Sequence, residues 1–251
     1  CRTVRPVLQV WGEDRNWKIA CNRGGIVKIL EGKEISISYG SQKVLDQANI
    51  CICSSEVVAL IGPSGSGKST LAHILSGVLK PDDGTVFYEN QKADFSLLHR
   101  IFGGMQIVHQ DPDSALNPNM TVMDAVVEPL MINAVKTDMK EEVARLLEAV
   151  GLYEGKELLN GKVKRLSGGQ KQKVMLARAL ALKPKLLIAD EITSMLDASS
   201  KANLLRLLKQ IQNANGLAML FITHDLNSAR KISDRIYCMS EDGKINEVSF
   251  D

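Results

Sequence analysis

A stretch of nine residues carries the spacing of a phosphate-binding loop. It matches the pattern G-x-x-x-x-G-K-[ST] and comprises Gly62, Pro63, Ser64, Gly65, Ser66, Gly67, Lys68, Ser69 and Thr70. Glycines let a backbone wrap closely round phosphate oxygens, and the N–H groups that begin the following helix favour an anion. Lys68 would bring a mobile positive charge to the phosphates, and the Ser69 hydroxyl would ligate Mg²⁺. The alternative, a glycine- and serine-rich turn, does not explain the apolar strand before the loop or the helical pattern after it.

Two acids follow a second apolar run and could complete such a site. Leu186 to Ala189 reads as a buried strand, and Asp190 and Glu191 come directly after it. Asp190 would hold Mg²⁺ through water, and Glu191 would polarise the water that attacks the terminal phosphate. A solvated strand end is the alternative for this segment alone. The phosphate loop favours the metal site, because the metal needs an acid from a neighbouring strand.

Composition narrows the class of protein. The chain has 251 residues, 45% of them hydrophobic and 24% charged, which suits one large α/β domain or a domain with a small insertion. The formal net charge of +2 gives no reason to expect nucleic acid as a partner. No run approaches the roughly 18 apolar residues that span a bilayer, and no signal peptide is recognisable. We therefore expect a cytoplasmic chain that acts on a membrane only through a partner.

Strand and helix patterns alternate along most of the chain. We predict strands over residues 57–61, 186–189 and 218–223 from their continuous apolar character, and a turn over residues 81–84. Helices are predicted over residues 69–79, 170–182 and 199–214. This alternation predicts a mainly parallel sheet with right-handed crossovers.

The middle of the chain is predicted to be mostly helical. Val143, Leu146, Leu147 and Val150 have the spacing of one buried helix face, and Gly151 is placed to end that helix.

Leu166 to Gln170, with the sequence LSGGQ, gives the chain its family resemblance. It resembles the signature of ATP-binding cassette (ABC) ATPases; a flexible linker is the alternative for five such residues alone. The resemblance implies an α/β fold: a RecA-like P-loop NTPase core with a mainly parallel sheet, an antiparallel β region and a helical subdomain. In the family the signature loop contacts the γ-phosphate bound by a second cassette, so that two cassettes enclose two ATP molecules. Contacts of this kind are implied for Ser167, Gly169 and Gln170.

Four further residues match family positions in the family's order. Gln110 resembles the glutamine that touches Mg²⁺ and links catalysis to the membrane partner, and Asp197 resembles an aspartate of the dimer interface. His224 resembles the histidine that reads the γ-phosphate, and Tyr39 the aromatic residue that stacks on adenine. The alternatives are a loop amide for Gln110 and a helix N-cap for Asp197. They are a strand-end residue for His224 and a sheet aromatic for Tyr39.

The implied site therefore has three groups of residues. The implied catalytic residues are Glu191, His224, Gln110 and Lys68. The implied nucleotide contacts are the nine loop residues with Tyr39, Ser167, Gly169, Gln170 and Asp197. The implied Mg²⁺ ligands are Ser69, Gln110 and Asp190. Ile192 and Met195 depart from the usual proline and small residue, but neither change removes a catalytic group.

A longer stretch resembles one branch of the family. Gln110 to Pro112, then Ser114 to Val122 (SALNPNMTV) and Glu128 to Leu130 (EPL), are similar to the ATP-binding subunits of oligopeptide, dipeptide and nickel importers. A helix capped near Thr121 is an alternative that can coexist with this role. The resemblance implies an ATPase that drives permease subunits from the inner face of the cell membrane. The alternative is a soluble, non-transport ABC ATPase that remodels or activates a protein partner.

The first part of the chain, residues 1–29, looks different from the rest. Cys1 and Cys21 resemble the end of a four-cysteine tail that can hold an iron–sulfur cluster in one subunit of these importers. Two unrelated cysteines in a leader are the alternative. The match implies a fused protein of two cassettes, with the other two cysteines upstream and this cassette as the second half. The sequence leaves open whether the working partner is that upstream cassette or a second copy of this chain. The remaining residues, 30–251, are expected to form the ABC domain, with its core at 30–112 and 163–251 and the helical subdomain at 113–162.

Overall fold

The structure, a computed structural model, describes residues 27–93, 104–152 and 155–248. The strands are β1 Lys28–Tyr39, β2 Gln42–Cys53, β3 Val57–Ile61, β4 Asp83–Tyr88, β5 Gln91–Lys92, β6 Met105–Val108, β7 Leu186–Asp190, β8 Ala218–Thr223, β9 Arg235–Met239 and β10 Ile245–Val248. The helices are α1 Lys68–Leu75, α2 Pro112–Ala115, α3 Val122–Ile132, α4 Met139–Ala149, α5 Gly155–Asn160, α6 Gly168–Leu180, α7 Ala198–Asn215 and α8 Leu226–Ile232, with a 3₁₀ turn at Val163–Arg165.

A six-stranded sheet forms the centre of the molecule. Its order is β10-β9-β3-β8-β7-β6, with parallel pairing from β6 to β9 and antiparallel pairing of β10 on β9. Every residue of β7 and β8 is buried, as is β3 up to Leu60. Parallel strands covered on both faces have no need of polar alternation, which explains their continuous apolar sequences. The prediction of a mainly parallel sheet is confirmed.

A second sheet of four antiparallel strands, ordered β2-β1-β4-β5, packs beside α1. Ile35, Ile50 and Val86 of this sheet share one apolar core with Leu71 of α1 and Leu220 of β8. The β1–β2 hairpin is thereby held against the loop that precedes α1. This sheet is the antiparallel region that the family resemblance implied.

Four helices, α2 to α5, lie between β6 and α6 in the chain. In α4 and at its C-terminal end the four predicted apolar residues are all buried, and Gly151 follows in the left-handed conformation with φ +69°. Thr121 caps α3 through reciprocal hydrogen bonds with Asp124, so the predicted helix start is confirmed. The proposed division of the chain at residues 30, 113 and 163 stays a prediction.

The helix after the phosphate loop is shorter than predicted. It ends at Leu75 rather than at residue 79, because Gly77 turns the chain at φ +80° and the Leu79 N–H returns to the His73 carbonyl. The predicted turn at 81–84 is also too long, since β4 begins at Asp83. Within the described part of the chain, no helix has the length and apolar character needed to cross a bilayer.

Candidate functional site

The phosphate-binding loop joins β3 to α1 at the carboxyl edge of the parallel sheet. Gly67, the residue before α1, has φ +102° and offers no side-chain cap, so the first N–H groups of the helix have no capping side chain as partner. Such a helix start attracts an anion. Lys68 is 5% exposed, and its ammonium donates hydrogen bonds to the carbonyls of Gly62 (3.0 Å) and Pro63 (2.8 Å). The loop therefore presents amide donors beside a positive charge.

The remaining loop residues fit the same function. Pro63, Ser64, Gly65 and Ser69 are exposed, so the Ser69 hydroxyl is open to a metal from outside. The hydroxyl of Ser66, by contrast, is buried without a hydrogen-bond partner among the described residues. A buried hydroxyl without a partner is costly, and one at an anion-binding loop is placed to bind an incoming group.

Glu191 lies where β7 ends and is held in an uncommon backbone conformation. Its φ is +52°, its N–H donates to the Ile222 carbonyl on β8 (3.0 Å), and its carbonyl accepts hydrogen bonds from the N–H and hydroxyl of Ser194 (3.0 and 2.8 Å). One carboxylate oxygen is 3.9 Å from the Lys68 ammonium, and the other is 2.9 Å from Nδ1 of His224. Side chains from positions 68, 191 and 224 of the chain thus meet at one point.

The residues expected to bind Mg²⁺ are chemically suited to it. Asp190 is 6% exposed, and its Oδ1 has no hydrogen-bond partner within the described ranges. Gln110 follows β6, which pairs in parallel with β7, so it leaves the sheet at the same edge as Asp190. Hydroxyl, amide and carboxylate oxygens, with phosphate oxygens, are ligands that Mg²⁺ accepts. The buried Asp190 oxygen, which has no described hydrogen-bond partner, fits a bound cation of this kind.

Two histidines pack together next to Gln110. The rings of His73 on α1 and His109, next to Gln110, meet edge to face with centroids 5.6 Å apart. Burial lowers the pKa of His109, and His73 lowers it further. A lowered pKa favours the neutral imidazole, which adds no positive charge where a cation is to bind.

The signature segment forms the start of α6. Ser167 caps the helix: its hydroxyl accepts the Gln170 N–H (3.3 Å), and its own N–H donates to the Gln170 side-chain oxygen (2.9 Å). A Cβ on Gly168 or Gly169 would meet no described atom within 4 Å. Packing among the described residues therefore does not require either glycine. The two glycines leave the N-terminus of α6 open to a ligand that approaches from outside.

Tyr39 and Asp197 lie at the edge of the site. Tyr39 ends β1 and is 55% exposed, as a residue that stacks on a planar ligand needs to be. Its hairpin touches the phosphate loop, because a Cβ on Gly67 would come within 3.0 Å of Val44. Asp197 caps α7 by accepting the N–H groups of Ser199 and Ser200, and the hydrogen bond from the Ser200 hydroxyl lowers its pKa. The N-cap alternative is thus seen for Asp197, while its interface role stays a prediction.

Cys1 and Cys21 lie outside the described residues. Sequence reasoning also missed Gln172, a buried glutamine on α6 whose side chain contacts the segment after Glu191. A signal was available, since Gln172 is a polar residue at the start of the buried stripe that continues at Met175 and Leu176.

Comparison with known proteins agrees with this geometry. Residues 45–194 match the family described as ABC transporter. The nickel import ATP-binding protein NikE of Escherichia coli (strain K12) is 39% identical over 212 residues, which cover 82% of this chain and 78% of that protein. The oligopeptide transport ATP-binding protein OppF of Bacillus subtilis (strain 168) is 38% identical over 233 residues, covering 88% of this chain and 75% of that one.

Solved structures show the same fold. CbiO1 from Clostridium perfringens, part of the ABC transporter complex cbiONQ, superposes with a TM-score of 0.76 at 29% identity, covering 87% of each chain. The dimeric bacterial ABC transporter cassette MJ0796 gives 0.75 at 30% identity and covers 88% of this chain and 98% of that one. Sequence match, fold and loop chemistry agree, and the chain belongs to the ABC transporter family, as a nucleotide-binding domain that hydrolyses ATP.

Proposed function

We propose that this chain holds MgATP with Lys68, Ser69, Gln110 and Asp190, and that Glu191 activates the water that attacks the γ-phosphate. The observation that carries the proposal is the position of the Glu191 carboxylate, 3.9 Å from the Lys68 ammonium and 2.9 Å from the His224 ring. A carboxylate held between an ammonium group and an imidazole is fixed in direction, as a general base must be.

Each neighbour has a definite part in this arrangement. The Lys68 ammonium lies at the phosphate loop and would balance charge on the β- and γ-phosphates. The bound Mg²⁺ would neutralise charge that develops on the phosphate oxygens. His224, whose side chain is 56% exposed, can contact both Glu191 and the γ-phosphate side of the site. Positioning and charge stabilisation account for most of the catalysis in phosphoryl transfer, and these residues supply both.

The site is completed by a second ABC domain. The glycines and cap of the signature segment face away from the packing of this chain, and MJ0796, a structural relative, is a dimer. We propose that Ser167, Gly169 and Gln170 contact the ATP bound by the partner cassette, with Tyr39 on adenine and Asp197 at the interface. The partner is either a second copy of this chain or a cassette fused upstream.

A groove beside α6 is a suitable docking site for permease subunits. A cavity of about 310 Å³ lies between the segment after Gln110, helix α3 and Arg178 of α6; its lining residues are Ala115, Leu116, Asn117, Met120, Ala125, Glu128 and Arg178. Arg178 donates to the Ala115 carbonyl (3.2 Å) and pairs with Glu128 at 2.5 Å. Movement of a docked subunit would therefore reach both the Gln110 segment and α6.

We propose that the transporter imports nickel, peptides or related small solutes, as the names of NikE and OppF suggest. The iron–sulfur cluster on Cys1 and Cys21 remains a proposal from sequence, to be tested by iron and acid-labile sulfide analysis of anaerobic preparations.

Replacing Glu191 tests the proposed function. Glu191→Gln keeps the shape of the side chain but removes the base, so ATP hydrolysis should fall about 10²- to 10⁴-fold while MgATP binding persists. Glu89→Gln, which changes an exposed acid paired with Lys185, is the control and should leave hydrolysis unchanged. Near-normal turnover by Glu191→Gln would remove Glu191 from its role. Co-purification with integral membrane subunits separates an importer from a soluble ABC ATPase.

A further inference from the structure

A buried glutamine links α6 to the segment that carries Glu191. Gln172 is 8% exposed, and its side-chain N–H donates to the Ile192 carbonyl at 3.1 Å. It lies on the apolar face of α6, at the 3-4 spacing from the buried residues Met175 and Leu176. An amide buried among apolar side chains is unfavourable unless it is hydrogen-bonded. An apolar residue would therefore be favoured at this position if the hydrogen bond served no function.

The bond fixes the residue directly after Glu191. The N–H of Glu191 is bound to the Ile222 carbonyl, and its carbonyl is bound to Ser194. The next carbonyl, that of Ile192, is the one that Gln172 holds, and the Ile192 side chain is itself only 3% exposed. These contacts maintain Glu191 at φ +52°, a conformation that a glutamate adopts only when its surroundings impose it. Loss of the Gln172 bond would free the Ile192 peptide to rotate and would change the direction of the neighbouring carboxylate.

We propose that Gln172 is a positioning residue for ATP hydrolysis, acting through the Ile192 carbonyl on Glu191. The inference rests on the proposed role of Glu191 and extends it. Ser167 and Gln172 belong to one helix and its cap, so a contact made by the signature loop with the partner's nucleotide moves Gln172 as well. The bond therefore connects the signature loop, which serves one ATP site, with the base that serves the other.

A pair of matched variants tests this proposal. Gln172→Met keeps the length of the side chain and removes the N–H donor. Gln212→Met is the control: Gln212 lies on α7, is 4% exposed and donates to the Ser55 carbonyl at 2.7 Å, so the same bond type is lost away from the site. Both variants are made in the chain isolated with its accompanying subunits. The measurements are kcat, KM, MgATP affinity and the thermal unfolding midpoint.

We expect the unfolding midpoint to fall in Gln172→Met and to fall less in Gln212→Met, because the Gln212 side-chain oxygen is buried without a described hydrogen-bond partner. In Gln172→Met, kcat should fall about tenfold to a hundredfold while KM and MgATP affinity change less than about twofold, because a misplacement of about 1 Å costs up to about a hundredfold in rate. In Gln212→Met, kcat should stay within about twofold of wild type. In a Glu191→Gln background, Gln172→Met should lower the residual rate no further, since the two residues act as one unit.

Equal kcat values for Gln172→Met and Gln212→Met would overturn the proposal, as would a loss confined to KM. If Gln172→Met does not fold, Gln172→Asn makes the same test with an amide too short to reach Ile192. Failure of the proposed function looks different, because wild-type protein would then not hydrolyse MgATP or Glu191→Gln would turn over normally.

Discussion

Glycine-to-alanine substitutions at three positions measure separately the cost of backbone strain, the cost of crowding and the effect on phosphate binding. Gly67 has φ +102°, and a Cβ there would lie 3.0 Å from the Val44 carbonyl oxygen and 3.1 Å from the Leu45 side chain. Gly40 and Gly65 also have positive φ, +61° and +81°, but a Cβ on either meets no described atom within 4 Å. Gly40 lies in the β1–β2 turn, whereas Gly65 lies in the phosphate loop.

The cost of each substitution follows from these contacts. A side chain at positive φ costs about 1–2 kcal/mol, which is the whole cost expected for Gly40→Ala and Gly65→Ala. In Gly67→Ala the new methyl group is also crowded by Val44 and Leu45. Backbone strain of about 1–3 kcal/mol and overpacking of about 1–3 kcal/mol together give a cost of roughly 2–6 kcal/mol. That is a large part of the free energy of unfolding of a typical domain, which is roughly 5–15 kcal/mol. Urea unfolding gives the three free energies.

Nucleotide affinity provides the second measurement. Gly65→Ala should weaken MgATP binding clearly more than Gly40→Ala at equal stability, because its methyl group enters the loop that wraps the phosphates. Gly67→Ala that is no more destabilising than Gly40→Ala would contradict the predicted crowding, and Gly65→Ala that binds MgATP as wild type does would contradict the predicted phosphate contact.

Three further predictions concern caps and charge. The Ser228 hydroxyl, and after it the Lys201 ammonium, donate hydrogen bonds to Asp225 and lower its pKa from 3.8 to about 2. The charged carboxylate therefore stabilises the folded state by about 2 kcal/mol above about pH 4, and this contribution is lost as the pH falls towards 2. Asp225→Asn should therefore be less stable than wild type at pH 7 in urea unfolding, with the difference shrinking between about pH 4 and 2; a constant difference would contradict this. Thr121→Ala should cost about 1 kcal/mol through its lost capping box, measured in the same way, with Thr121→Ser near neutral. Ser167→Ala should also cost about 1 kcal/mol, but its ATPase rate should fall well beyond that of Thr121→Ala; equal rates would remove the signature role of Ser167.

The strands that carry the site could be predicted from sequence because they are buried on both faces. The predicted bounds of β3 and β8 are those observed, and β7 is longer by Asp190 alone. The end of α1 could not be predicted, since residues that continue a helical pattern are overridden by the turn at Gly77. The candidate site residues were predicted from motif and resemblance, and the structure places Lys68 and His224 next to Glu191.

The contacts that orient Glu191 could not be predicted. Its left-handed backbone depends on Ile222 and Ser194, which the sequence gives no reason to associate with it. The partner of Gln172 is likewise set by how α6 packs on the segment after β7. Periodicity shows which face of a helix is buried, but it does not show which carbonyl a buried amide will meet.

The affinity of the chain for MgATP, measured by calorimetry in a Glu191→Gln background that suppresses turnover, tests directly whether this loop holds the nucleotide. We predict that Lys68→Ala weakens binding at least about tenfold, through the loss of one charge-assisted contact, and that Lys185→Ala, at an exposed lysine paired with Glu89, leaves it unchanged. Chelation of Mg²⁺ should weaken binding in all three proteins. Equal affinities with and without the Lys68 ammonium would show that this loop does not hold the nucleotide.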